Sequence, residues 1–218
     1  MQDPIRNHPT RAEQLDILVS VAGAYCRAGD RVLDLGIGVG YVADLLAAAV
    51  PGLNLEGIDL KPEALEEARA LLRPRCESLT LTAADLGDLA SLPEPAGPLR
   101  LIYTALTFHD LSDEAKQALI AWCRPRLASD GILLLYDRLR LDLPGLYPAQ
   151  QAIWARIERE HGRGMRAAES FEAYRQDLGE TNRPAALSDY RRWFEAAGFD
   201  ATPLHLHGNI ALIGATPA

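Results

Sequence analysis

The chain has 218 residues, 48% of them hydrophobic and 24% charged, which is enough for a sizeable core without disulfides. Its formal net charge of -8 repels nucleic acid and anionic membrane at long range, and no apolar run is long enough to span a bilayer. Cys26, Cys76 and Cys123 form no CxxC pair, so free thiols in a reducing cytoplasm are expected, with no zinc signature.

The start, "MQDPIRNHPTRAEQ", is polar and unlike a signal peptide. Residues 12–26 read as a helix, and "RVLDL" (31–35) as a buried strand. A glycine turn follows, then a helix near 39–49 and a second strand, "LNLEGIDL" (53–60). Pro62 sits at a helix start, and "EALEEARALL" (63–72) continues it with apolar spacing of three and four. "SLTLTAADL" (78–86) makes the third strand, and the Pro/Gly-rich loop "SLPEPAGP" (91–98) leads into the fourth, "LRLIYTAL" (99–106). Ser112 is placed to cap a helix over 113–127, with Asp113 and Glu114 in its first turn. "SDG" (129–131) reads as a turn before a fifth strand, "ILLLYD" (132–137).

Strands alternating with helices predict a parallel sheet covered on both faces. The alternation stops at 140–186, where helix-like segments near 148–161 and 167–178, joined by "HGRGM", predict a helical insert. "SDYRRWFEAAGF" (188–199) is a helix stopped at Gly198. "ATPLHLHGNIALIGAT" then reads as two strands around "HGN", so the sheet ends in an antiparallel hairpin.

The chemistry concentrates at strand ends. In "VLDLGIGVG" (32–40), Asp34 lies near the end of the first strand, and Gly36, Gly38 and Gly40 follow at alternate positions. Glycines let the backbone turn sharply and approach a ligand. The dinucleotide pattern GxGxxG fails, because Tyr41 stands where its third glycine belongs. Asp59 ends the second strand, 19 residues after Gly40, where a carboxylate can accept from both ribose hydroxyls of a nucleoside. Asp85 ends the third strand, within reach of an adenine amino group. Three acids at three successive strand ends describe an adenosine-sized site.

With these residues the chain resembles the class I S-adenosylmethionine-dependent methyltransferases. "VLDLGIGVG" is similar to that family's first motif, "GIDLKPEALEEAR" to the second and "TAADL" to the third. "LIYTALTFHDLSDEAKQALIAWCRPRLASDGILLLYD" is similar to the fourth and fifth, and "LSDYRRWFEAAGF" with its hairpin to the C-terminal end. The resemblance covers about residues 12–137 and 187–216. It implies an α/β, Rossmann-like doubly wound sheet of seven strands in the order 3-2-1-4-5-7-6, strand 7 antiparallel. The helical insert, about 140–186, follows strand 5 in a single methyltransferase domain over 1–218.

Carried over by position, the resemblance puts Asp34 near the methionine end of S-adenosylmethionine, with Gly36, Gly38 and Gly40 along its backbone. Asp59 would hold the ribose and Leu60 pack on the adenine, while Asp85 and Leu86 frame the adenine amine and ring. Thr104, Ala105 and Leu106 would face the methionine and sulfonium.

His109, just beyond strand four, has three readings: a general base, a substrate-pocket residue, or a structural residue. A base is needed only where the nucleophile starts protonated with a high pKa, since alignment against an activated sulfonium supplies most of the acceleration. Asp110 is placed either to orient His109 or to stand as a loop acid. His205 and His207 share a strand face with no third metal ligand in view, so no metal site is expected. Arg11 is a candidate partner for the cofactor carboxylate. Tyr147, Trp154, Phe171 and Tyr174 are expected to form the insert's own core, with the insert placed to cover the carboxyl edge as a lid.

The expectation is a cytoplasmic enzyme, monomer or homodimer. It would move a methyl group from S-adenosylmethionine to an O, N or C nucleophile of a small molecule, releasing S-adenosylhomocysteine. The alternatives are a carboxy-S-adenosylmethionine synthase-like transferase, which shares an "ALTFHDL"-like segment, and a non-catalytic S-adenosylmethionine-binding module.

Overall fold

Seven strands form one sheet in the order β3-β2-β1-β4-β5-β7-β6, as the resemblance implies. The computed structural model describes residues 8–162, 164, 168–179 and 182–218. β1 (Arg31–Leu35) lies at the centre, parallel to β2 (Asn54–Asp59) on one side and β4 (Leu99–Ala105) on the other. β3 (Ser78–Ala83) and β5 (Leu127–Arg138) extend the parallel array, and β7 (Ile210–Pro217) runs antiparallel to β5 and to β6 (Phe199–His207).

The near-continuous apolar runs of the central strands reflect burial on both faces. Val32, Leu101, Tyr103, Leu134 and Tyr136 face one cluster, with α1 (Arg11–Tyr25), α2 (Tyr41–Ala49) and α3 (Pro62–Leu72) above them. Leu33, Leu35, Ile102, Leu133 and Leu135 face the other, against α4 (Asp113–Cys123) and α7 (Leu187–Ala196). Each such side chain taken fully out of water contributes about 1.5–3 kcal/mol. Ser112 caps α4 as expected, its Oγ accepting from Ala115 N at 3.1 Å.

Several boundaries differ from the sequence reading. Residues 129–131 are not a turn but part of β5, which shifts register against β4 between Leu99 and Leu101. Gly131 permits this: a Cβ there would lie 2.9 Å from Leu99 O and 3.0 Å from Arg100 O. α4 stops at Cys123, and Arg124–Arg126 tightens into a 3-10 turn around Pro125, which has no N–H to extend the helix. β3 ends at Ala83, leaving Asp85 and Leu86 in the following loop.

The insert contains α5 (Tyr147–His161) and α6 (Phe171–Gln176). Residues 163 and 165–167, in the expected linker and the start of the second helix, lie outside the described residues. Tyr147, Trp154 and Ile157 pack with Leu141, Phe171 and Tyr174, so the aromatics do form the insert's own core. Tyr147 meets Trp154 and Phe171 edge-on, with centroids 6.0 and 5.7 Å apart. The chain returns along the site: Arg140 N donates to Ala185 O (2.9 Å) and Arg183 N to His109 O (2.6 Å).

Candidate active site at the carboxyl edge of the sheet

The loop after β1 is built from backbone. Gly36 N and Ile37 N both donate to Ile58 O, at 2.8 and 3.0 Å, which folds the loop onto the end of β2. Gly36, Gly38 and Gly40 have φ of +86°, +54° and +81°, the left-handed region that favours glycine. At Gly36 a Cβ would lie 2.2 Å from Thr107 Oγ1, so this position also sets how closely the loop meets the end of β4. At Gly38 a Cβ would meet nothing within 4 Å, so the loop is open there. Gly40 precedes α2 and packs on Leu72 and Ala68.

Asp59 completes the loop. Its Oδ2 accepts from Gly38 N at 2.8 Å and its Oδ1 from Lys61 N at 3.0 Å. Each carboxylate oxygen has a further lone pair for a ligand hydroxyl. Leu60, beside it, is 64% exposed, an apolar surface without cover. Asp85 Oδ1 accepts from Gly87 N at 2.8 Å, and the side chain faces solvent. Leu86 instead is buried in the cluster with Ile58 and Phe108.

Asp34 is buried beside Tyr103, its register partner on β4. Burial pushes its carboxyl up from an ordinary 3.8 to about 7, with the Tyr103 hydroxyl opposing and the charge of Asp59 adding to the shift. A cationic ligand group against it would favour the ionised form. Thr104 is fully buried, and its Oγ1 has no partner among the described residues. Ala105 and Leu106 are partly buried, and Leu106 takes φ +57° with its N–H donated to Tyr136 O at 2.8 Å. A bulky residue in the left-handed region is held there by its surroundings, here at the edge where the loops converge.

Past β4 the construction changes to side chains. His109 is 6% exposed, and its Nδ1 lies 2.6 Å from Asp137 Oδ1. Asp137, at the end of β5, is fully buried and also accepts from His109 N and Arg138 N, each at 2.7 Å. Arg138 Nη2 lies 2.8 Å from His109 Nε2. A guanidinium only donates, so Nε2 is the lone-pair nitrogen and Nδ1–H points at Asp137. Both ring nitrogens are thereby occupied. Asp110, weighed as the orienting acid, lies 3.5 Å from Nε2 and is half-exposed. Asp137 takes that role, and no local pattern shows it, because it lies 28 residues away.

Lys116 is a second residue the sequence reading passed over. It is fully buried, and its Nζ donates to Leu111 O (2.7 Å), Asp113 Oδ1 (2.9 Å) and Arg183 O (2.6 Å). It ties the His109 loop to the returning insert. On the other face, Tyr136 Oη donates to Gln14 Oε1 at 2.5 Å, and Arg11 lies beside Tyr136. Cys26, Cys76 and Cys123 are free, and burial pushes the Cys26 and Cys123 thiols up to about 12. No helix among the described residues is long and apolar enough to cross a membrane.

The sequence matches the family model of a methyltransferase domain over residues 32–131. It is similar to the carboxy-S-adenosyl-L-methionine synthase of Chromohalobacter salexigens, 30% identical over 159 residues that cover 72% of this chain and 55% of the synthase. It is 36% identical over 125 residues to an uncharacterized 37.1 kDa protein in transposon TN4556 of Streptomyces fradiae, covering 55% of this chain and 34% of that protein. The chain thus spans from about a third to about half of the length of these curated relatives. In fold it is similar to the magnesium protoporphyrin IX methyltransferase of Synechocystis PCC 6803 with bound S-adenosylhomocysteine. That match has a TM-score of 0.65 at 17% identity, over 100% of this chain and 90% of the other.

Proposed function

We propose that the chain, whose residues 32–131 match a methyltransferase-domain model and whose sheet has the strand order of the class I S-adenosylmethionine-dependent methyltransferases, moves a methyl group from S-adenosylmethionine to an oxygen, nitrogen or carbon nucleophile of a small-molecule acceptor. The observation that carries this reading is the Gly38–Asp59 hydrogen bond, which puts an open glycine loop and a strand-end carboxylate at one spot. The residues present fit the cofactor. Asp59 would take the ribose hydroxyls and the exposed Leu60 the adenine face. Asp85 would take the amine, and Asp34 the cationic methionine end. Thr104, Ala105 and Leu106 form the wall between cofactor and acceptor. Bound there, S-adenosylmethionine supplies an activated methyl, and the chain's task is to align the acceptor and exclude water.

His109 enters this reading as a positioning residue. With Nδ1 on Asp137 and Nε2 under Arg138, it holds the end of β4 against the end of β5. Calorimetry with S-adenosylhomocysteine tests the core of the proposal: saturable binding is expected, and folded protein that binds none overturns it. The identity to the carboxy-S-adenosyl-L-methionine synthase favours a second reading, formation of a carboxylated S-adenosylmethionine. Mass spectrometry of ligand retained through purification separates the two by the mass of the added carboxylate.

A further inference from the structure

In a chain of net charge -8, basic groups gather at one end of the sheet. Arg138 on β5, Ile210 on β7 and His207 on β6 are successive register partners, as are Tyr136, Leu212 and His205 two rungs away. Directly opposed residues of antiparallel strands point to the same face. Ile210, Leu212 and Tyr136 belong to the cluster under α1, so Arg138, His205 and His207 leave their strands toward the α1 face as well, with the Arg138 guanidinium reaching over the strand end to His109 Nε2. A bulge in β6 between Pro203 and His205 brings this about, because without it the histidines would face the opposite layer. The His205 and His207 rings lie 6.2 Å apart.

We propose that this corner, between β5–β7–β6 and the start of α1, seats an oxyanion, the carboxylate or phosphate of the acceptor, with Arg138 and His207 as its principal contacts. The proposal rests on the methyl-transfer reading for what the anion belongs to, not for the seat itself. Arg138 donates to His109 Nε2 (2.8 Å) and Asn182 Oδ1 (3.3 Å), both neutral acceptors, and among the described residues no carboxylate pairs with its guanidinium. Buried donors nearby are also unmatched among the described residues. Gln14 Nε2, at 1% exposure, has no partner, and neither has Trp154 Nε1, which packs on Gly208 beside His207. An anion would complement them.

The surrounding charges agree. Burial pushes His8 down to about 4, and Arg11, His207, Arg138 and His161 push it the same way. His207 is lowered by burial and by His205, His161 and Arg156, with Glu13 opposing. Arg156 itself is paired with Glu160 at 2.7 Å. Asp137 lies on the reverse face, engaged by His109. A bound oxyanion reverses the sign of the field at these imidazoles, so its binding draws in protons and strengthens as pH falls.

The test is a histidine-ring NMR titration of the protein saturated with S-adenosylhomocysteine, using inorganic phosphate in one arm and propionate in the other, at matched ionic strength in chloride. Saturable shifts of His8 and His207 are expected, with apparent pKa values raised by about one unit. Arg138→Gln and His207→Gln should each weaken the anion at least tenfold, and His207→Gln, which touches none of the His109–Asp137 contacts, should leave S-adenosylhomocysteine affinity unchanged. Saturation by phosphate alone assigns a phosphorylated acceptor, and by propionate alone a carboxylated one. Shifts that merely follow ionic strength, or that survive both substitutions, overturn the seat. Failure of S-adenosylhomocysteine to bind, with anion binding intact, removes the methyl-transfer reading and leaves the seat standing.

Discussion

The two halves of the carboxyl edge hold their site residues by different means. At β1–β3, backbone N–H groups fix the acids: Gly38 and Lys61 on Asp59, and Gly87 on Asp85. At β4–β5, side chains do the holding: His109 on Asp137, Arg138 on His109, and Lys116 Nζ on the backbone carbonyl of Arg183. The first half depends on loop conformation, so it tolerates surface change but not a Cβ at Gly36. The second depends on buried polar partners, so losing one member strands the others.

The largest effect should come from Asp137→Ala. It leaves two backbone N–H groups and a buried imidazole N–H without acceptors, and should destabilise the fold by about 3–5 kcal/mol in urea unfolding. Asp110→Ala, beside the same histidine, should change stability by less than about 0.5 kcal/mol. Equal effects would erase the distinction between the halves.

Asp59→Ala probes the other half. It should weaken S-adenosylhomocysteine binding by roughly 1.5–3 kcal/mol in calorimetry, because charge-assisted hydrogen bonds are lost. His109→Gln should leave that affinity nearly unchanged while lowering the melting temperature. An affinity loss matching that of Asp59→Ala would place His109 on the cofactor.

Asp34 gives the comparison a pH signature. Its folded pKa of about 7 lies above its ordinary 3.8, so the folded state binds the proton more tightly than the unfolded chain. The stability this confers is fully present below about pH 4. It fades as pH rises to about 7, by at most about 1.4 kcal/mol per unit, and is level above that. Ligand affinity should run the other way and rise with pH toward 7 and above, because a cationic ligand group favours the carboxylate. Asp34→Asn should flatten both slopes, as read from urea unfolding and calorimetry at several pH values. A smaller effect is expected at the edge of the site: Ser112→Ala removes the α4 cap and should cost about 1 kcal/mol in urea unfolding.

What was legible in the sequence follows the same division. Asp34, the three glycines and Asp59 fall within 26 residues, and strand, turn and helix signals place them without tertiary knowledge. The turn expected at 129–131 failed because a serine, an aspartate and a glycine in a row signal a turn, whereas Gly131 serves close approach to β4. Leu86 follows the acid that the motif marks, yet its side chain goes into the core rather than to the surface like Leu60.

By itself the sequence determined the α/β class, the glycine loop and the acids Asp34 and Asp59 toward the ends of β1 and β2, because hydrophobic period and glycine chemistry act over a few residues. Tertiary structure decided which acid His109 meets, which nitrogen it shows to Arg138, and which face carries His205 and His207. Those outcomes depend on strand neighbours and one bulge, and a one-residue shift in register reverses every side chain that follows.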